Sequence, residues 1–205
     1  LHMDKPIKTK LSNIARISSG HPFRGTIQQV QDAETHVVQV RDVDEFGEIN
    51  LHSLITTELL GRKQPNYLQE GDILFVAKGA KHFATYVQHI PNHTVCSPYF
   101  FIIQVCLTEI DKGFGTILPE FISWQLNQLP AQRYFKNSAE GSLYVSIRRK
   151  VLEDTPITLP PIETQQRIVA LHRAAINEQK VLKQLINNRQ LQINAVANDI
   201  LSNQT

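Results

Sequence analysis

Apolar and polar positions follow two different rules along this chain. Over the first two thirds, short runs rich in Val, Ile, Phe and Tyr recur between Gly, Pro, Asn and Asp, the pattern of strands bounded by turns. They predict strands over residues 36–40, 72–77, 85–90, 95–105 and 143–147. Pro119 followed by Glu120 predicts a helix carrying Phe121, Ile122, Leu126 and Leu129, ended or kinked at Pro130. That helix is expected to pack the core and carry no site.

The last quarter obeys helical spacing. Pro156-Ile157-Thr158-Leu159-Pro160-Pro161 is extended by necessity, because proline fixes φ and restricts the residue before it, so it reads as a stiff connector. Residues 163–201 contain neither Gly nor Pro, and these 39 residues at ~1.5 Å each predict a helix of roughly 58 Å. Such a helix is too long for the inside of a small domain. Its apolar positions Ile168, Leu171, Ala175, Leu182, Leu185, Ile193, Val196 and Ile200 repeat at three and four, as a coiled-coil seam requires. Glu178 and Arg189 interrupt the seam, which disfavours a long parallel zipper and suits an antiparallel partner whose register is set by charge. The two regimes divide the chain into a mixed α/β domain, residues 4–158, and a proline connector with a long dimerisation helix, residues 159–205.

Composition changes this picture little and charge changes it locally. The chain has 205 residues, 41% hydrophobic and 20% charged, the range of globular proteins. Its longest uncharged apolar run, residues 99–107, is far short of the ~20 residues of a membrane span, and no basic-then-apolar leader opens it. A soluble, cytoplasmic protein is therefore expected, with Leu1-His2-Met3 read as a cloning lead-in. Cys96 and Cys106 have no CxxC partner and fit a reduced compartment. The net charge of +2 does not mark a globally basic binder of nucleic acid. The acids, however, cluster early, in Asp42-Val43-Asp44-Glu45 and Glu48, while residues 73–108 carry no carboxylate alongside Lys78, Lys81, His82, His89 and His93. Residues 141–152, also free of acids, hold Arg148, Arg149 and Lys150. Two readings stand at this point: a positive face able to steer a phosphate backbone, or ordinary solvated loops.

Enzyme signatures are missing. Gly113-Phe114-Gly115-Thr116-Ile117-Leu118 lacks the third glycine of a dinucleotide loop, and no GxxxxGK[ST], HExxH or GxSxG occurs. Ser97-Pro98-Tyr99-Phe100 is faintly similar to the Asn-Pro-Pro-Tyr loop of amino-methyltransferases but lacks the second proline and the amide. A metal-dependent nuclease would want acids before Lys78, where Phe75-Val76-Ala77 offers none, and the eight histidines have no ligand spacing.

What remains is an ordered constellation: Leu11-Ser12-Asn13-Ile14-Ala15-Arg16-Ile17, then Gly20-His21-Pro22-Phe23-Arg24-Gly25, then Gly71-Asp72-Ile73-Leu74-Phe75-Val76-Ala77-Lys78-Gly79. Leu118-Pro119-Glu120-Phe121 and Gly141-Ser142 follow, and the series closes with Leu159-Pro160-Pro161-Ile162-Glu163-Thr164-Gln165-Gln166-Arg167-Ile168-Val169. In this order and spacing the chain resembles the specificity subunit of type I restriction-modification systems, in which a Leu-Pro-Pro-x-x-x-Gln connector joins a target recognition domain to a long helix. The resemblance covers nearly everything from Leu11 onward. The usual member carries two recognition domains and two helices and this chain one of each, so it reads as a half-length subunit or an excised half.

The resemblance implies sequence-specific binding of duplex DNA and seating of methyltransferase modification subunits, which hold S-adenosylmethionine and do the chemistry. A restriction subunit with ATP-driven translocation joins such assemblies. No cofactor is expected on this chain itself, and it is not expected to be an enzyme. Under this reading Gly20, Gly25, Gly79 and Gly141 permit close approach to phosphates, and the candidate DNA-binding residues are His21, Arg24, Lys78, Lys81, His82, Ser142, Tyr144, Arg148 and Arg149. Arg and Lys suit guanine or phosphate and Ser mostly phosphate, with the division among them left open. Leu171, Leu182, Leu185, Ile193, Val196 and Ile200 are the candidate dimerisation residues, forming a homodimer through the C-terminal helix. The alternative of another class is an enzyme, a DNA methyltransferase fragment or a small nuclease with degenerate motifs. A pure assembly module that never touches DNA is the third.

Overall fold

The computed structural model describes residues 5–59, 64–106, 115–139 and 146–202. It divides into two compact units, one running through Gln166 and the other starting at Arg167. The expected architecture is present: an α/β unit with mixed sheets and a long C-terminal helix.

The first unit is layered around a four-stranded antiparallel sheet in the order β2-β8-β5-β6, formed by β2 (Ala15–Ser19), β5 (Ile73–Val76), β6 (Ala84–Tyr86) and β8 (Phe100–Val105). In β2, Ala15 and Ile17 are buried around the exposed Arg16, the alternation of a strand with one wet face. Central β5 is buried at every residue, as its unbroken Ile-Leu-Phe-Val run requires. A three-stranded sheet in the order β4-β3-β7 comprises β3 (Thr35–Val38), β4 (Ile55–Thr57) and β7 (Thr94–Cys96), with β3 antiparallel to β4 and parallel to β7. One face of the larger sheet meets the smaller through a single apolar cluster that includes Leu74, Val76, Phe100 and Ile102 with Val38 and Cys96. The helices α1 (Pro119–Leu126) and α2 (Leu129–Ser138) supply further core, α1 packing on β5 and β6 and Phe135 of α2 lying 4.8 Å from Phe75, ring to ring. A short α3 (Arg149–Glu153) precedes β9 (Pro156–Leu159). Cys96 and Cys106 are free, and burial pushes the Cys96 thiol far up, leaving an inert apolar filler.

Three sequence expectations change form here. The single strand expected over 95–105 is two, β7 and β8, separated at Ser97-Pro98-Tyr99, because the chain crosses from one sheet to the other there. Pro130, read as a stop, sits in the first turn of α2, where its missing N–H costs nothing. The strand expected over 143–147 lies mostly outside the described residues, which retain only a bridge between Ser146 and Lys78.

The connector is also more than a spacer. Residues Pro156–Leu159 form β9, which pairs antiparallel with β1 (Ile7–Lys10) from Ile7 opposite Leu159 to Lys10 opposite Pro156. Side-chain amides complete the edges this leaves. Gln125 accepts from the Thr158 N–H (2.7 Å) and donates to the Thr158 carbonyl (2.8 Å), acting as a one-residue strand beside β9. Asn127 does the same for Ala84 of β6, with both contacts at 2.8 Å. Gln165, 1% exposed, accepts from the Leu118 N–H (3.0 Å) and donates to the carbonyls of Pro160 (2.9 Å) and Thr116 (3.3 Å).

The helix α4 spans Ile162–Ser202, 41 residues, one residue longer at each end than the Gly- and Pro-free stretch predicts. Leu171, Leu182, Leu185, Ile193, Val196 and Ile200 are all more than half exposed, as are Val181, Ile186, Leu191 and Leu201. Their register shifts along the helix. Ile168, Ala175 and Leu182 stand seven apart, and Ile186, Ile193 and Ile200 stand seven apart starting four residues later. An insertion of four into a heptad pattern locally unwinds a coiled coil. Among the described residues no helix is long and apolar enough to cross a membrane.

Gln165→Leu should orphan the part-buried Leu118 N–H and the Pro160 carbonyl, with water replacing the amide at exposed Thr116, and at ~1–3 kcal/mol per orphaned group the unit should lose about 3 kcal/mol. Urea unfolding measures this as a midpoint about 1–2 M lower, while Gln166→Ala at the exposed neighbouring position should leave the midpoint unmoved.

Candidate nucleic-acid interface

The switch segment between β7 and β8 is where the loops converge. Gly20 N–H donates to the Phe100 carbonyl (3.0 Å) and His21 N–H to the Cys96 carbonyl (2.8 Å), fastening the loop after β2. From the other side Ala77 N–H (2.8 Å) and Lys78 N–H (3.4 Å) both donate to the Tyr99 carbonyl. The segment before α3 is fastened in turn to Ala77, whose carbonyl accepts from Ile147 N–H at 2.8 Å. Four stretches far apart in sequence, residues 20–25, 97–100, 77–79 and 146–148, thus form one contiguous row, joined by backbone hydrogen bonds.

Close packing dictates one glycine in that row. A Cβ on Gly20 would lie 2.1 Å from the Ser97 carbonyl oxygen and 2.9 Å from that of Cys96, so Gly20 is there to admit another piece of backbone and is itself buried. Its expected role at a phosphate gives way to an internal one. Gly79, at φ +144°, holds a conformation that residues with a Cβ rarely adopt, at the turn after Lys78.

The predicted residues fall into distinct settings. Arg24, Lys78 and Lys81 are exposed on loops of the row or next to it. His21 is half-buried with its ring 4.8 Å from that of Phe23, edge to face, and burial holds the imidazole below its usual pKa, so at neutral pH it brings hydrogen bonding and no charge. His82 turns inward: Nδ1 lies 3.0 Å from the Val76 carbonyl, the ring stacks on Phe75, and Nε2 is covered. Arg148 stands at the N-cap of α3, and Arg149 donates from Nε to Glu153 at 2.8 Å. Lys150 pairs with Asp154 at 3.3 Å, and the hydrogen bonds from Lys10 and Lys150 hold that carboxyl below its usual range. Ser142, Tyr144 and Gly141 lie outside the described residues.

The row also borders a cleft of about 490 Å³, lined by Phe23 and by residues 25–27, 39–41 and 97–99. Gln39, Arg41, Ser97 and Tyr99, all in its lining, are not among the residues the sequence singles out. Arg41 is hidden there because it abuts the acidic run, yet those acids are partly structural. Asp42, 2% exposed, accepts from Gln39 N–H (2.8 Å) and from Ser53 Oγ (3.0 Å), and Asp44 accepts from the N–H groups of Phe46 and Glu48. The one available signal is the Ser97-Pro98-Tyr99 break in an otherwise apolar stretch.

No family model matches the sequence, and no curated protein matches it either. Solved structures do. A type I restriction-modification system S subunit from M. genitalium aligns with TM-score 0.61 at 14% identity, over 96% of this chain and 46% of that one. The HsdS subunit from Thermoanaerobacter tengcongensis aligns with TM-score 0.59 at 19% identity, over 94% of this chain and 47% of that one. A chain from structural work on complex assembly and conformational transition of the type I R-M system gives TM-score 0.65 at 19% identity, over 99% of this chain and 50% of that one. This chain therefore spans about half the length of the structures it matches, and it has the fold of half an S subunit, as the ordered motifs imply.

Gly20→Ala should force the loop off the Ser97 backbone and destabilise the unit by about 1–3 kcal/mol, the usual cost of overpacking. Thermal unfolding tests the loss, and weaker hydrogen-exchange protection at the His21 amide tests its location.

Proposed function

We propose that this chain is a half-length specificity subunit that reads duplex DNA with the loop row of its first unit and pairs through its helix with a second copy. In this role it seats methyltransferase modification subunits, a restriction subunit joins the assembly, and the chain does no chemistry of its own. The observation that carries the reading is the backbone fastening of residues 20–21 and 77–78 onto the segment 96–100, and of residues 146–147 onto 77–78 in turn. Loops bearing Arg24, Lys78 and Arg148 become neighbours on a rigid base, and phosphate contacts need such preset positions to fix register on a duplex. The fold of half an S subunit supports the same assignment.

Self-association is supported by the helix. At ~1.5–3 kcal/mol per buried Leu, Ile or Val, the exposed positions from Leu171 to Ile200 favour pairing strongly. The register shift between Leu182 and Ile186 falls in the middle of 167–202, so in an antiparallel pair each shift meets its own copy across the two-fold axis.

Two measurements test the two halves of the proposal. Duplex affinity of Lys78→Ala/Lys81→Ala should fall, and its log-log salt slope should become shallower by roughly 1 to 2, at ~0.9 for each phosphate no longer neutralised. An unchanged slope removes these lysines from the interface. By sedimentation the full chain should be dimeric at micromolar concentration, and Leu185→Lys/Ile193→Lys should be monomeric with an unaltered urea midpoint. A persistent dimer would place the pairing outside α4.

A further inference from the structure

The cleft beside the loop row is built for more than phosphate. Its volume, about 490 Å³, lies within the ~300–1,000 Å³ typical of sites that enclose a small ligand. Phe23, Pro98 and Tyr99 contribute flat faces to the lining, and Tyr99 is 51% exposed and held through its backbone carbonyl. Two lining residues hold buried polar groups without a partner, Ser97 Oγ in a residue only 3% exposed, and Gln39 Nε2. Orphaned buried groups of this kind are rare in folded proteins unless a ligand or water meets them.

The polarity of the cleft is fixed by its neighbours. Gln39 forms a capping box with Asp42, whose N–H also bonds the Gln39 backbone carbonyl at 3.0 Å, and the end of the side-chain amide left without a partner is its NH₂. Arg41, exposed at the same lining, has only donors to offer. No carboxylate is among the described residues of the lining, and the adjacent Asp42 carboxylate is taken up by Gln39 N–H and Ser53 Oγ. Adenine asks an amide for one donor and one acceptor, whereas the groups left to meet a ligand here, the Gln39 NH₂ and the Arg41 guanidinium, are donors. Guanine shows two adjacent acceptors, O6 and N7, and suits donors alone.

We propose that the cleft receives one guanine of the bound duplex, drawn out of the base stack, with Arg41 and the Gln39 amide donating to its O6/N7 edge. Extrusion follows from shape. A stacked base exposes only its edge, whereas a concave lining with aromatic faces is filled by a base whose own faces are free. This inference rests on the DNA-binding reading and adds to it a position and a base.

The test uses the full chain and a pool of random-sequence duplexes, with bound molecules recovered and sequenced. The wild-type chain should enrich a motif containing an invariant guanine. Arg41→Lys, which keeps the charge and loses the fork, and Tyr99→Ala should each weaken the preference at that one position about tenfold while the remaining positions keep theirs. Replacing the cytosine opposite that guanine with an abasic residue should tighten wild-type binding several-fold, since the cost of unpairing is gone. A motif unchanged in both variants overturns the cleft assignment and leaves DNA binding standing. A weakened guanine preference with no gain from the abasic partner overturns extrusion. Absence of any duplex binding by the wild-type chain removes both readings, and guanosine monophosphate binding in that case would mark the cleft as a free-nucleotide site instead.

Discussion

The first unit is closed by side-chain amides. Its first and last strands, β1 and β9, are some 150 residues apart in sequence, and a two-stranded ribbon alone is marginal in water. Gln125 extends the ribbon by bonding both backbone groups of Thr158, and Gln165 ties the carbonyls of Thr116 and Pro160 to the N–H of Leu118. Three stretches, before α1, at the end of β9 and in the first turn of α4, are thereby locked to one another. The double proline borders this lock: lacking N–H groups, Pro160 and Pro161 cannot extend the β9 ladder, and the Pro160 carbonyl accepts from Gln165 instead. The first turn of α4, up to Gln166, thus belongs to the compact unit.

Backbone hydrogen bonds gather the loops in the same sparing way. Where the chain crosses from the smaller sheet to the larger at Ser97-Pro98-Tyr99, the Ser97 N–H still bonds the Val38 carbonyl of β3, and carbonyls along the crossing are taken by the surrounding loops. The Phe100 and Cys96 carbonyls take the loop after β2, and the Tyr99 carbonyl takes the loop after β5. His82 and Arg149 have partners within the unit, while Arg24, Lys78, Lys81 and Arg41 stand exposed. Arg24, Lys78, Lys81 and Arg41 can vary without touching the core, which is the arrangement a scaffold needs if its surface chemistry is to set specificity.

Legibility in the sequence follows the range of the interactions. The long helix is plain because the absence of Gly and Pro over 163–201 is a local property, and β5 because an unbroken Ile73-Leu74-Phe75-Val76 run admits few other fates. The Leu-Pro-Pro-x-x-x-Gln string is visible as a motif, but the purpose of its glutamine is not, since its partners Thr116 and Leu118 lie almost fifty residues away. Strand β1 escapes the pattern because Ile7-Lys8-Thr9-Lys10 is half charged and finds its reason only in β9. The helix α2 escapes it because Pro130 is ambiguous between stop and start. Within the site, Lys78 and Arg24 are legible as cations beside glycines, whereas nothing local tells that His82 faces Phe75. The cleft is invisible in the sequence because Gln39, Arg41 and Ser97 meet only through the sheet switch.

If the chain pairs and reads DNA as proposed, its two copies present identical first units related by a two-fold axis, in contrast with a chain that carries two different ones. Sequencing methylated sites in a host that expresses this chain as the sole specificity component, together with the proposed modification subunit, tests that symmetry most directly. The predicted result is a palindromic motif split by unread base pairs, with half-site centres about one helical turn, 10 to 10.5 bp, apart. A continuous or asymmetric motif would contradict it.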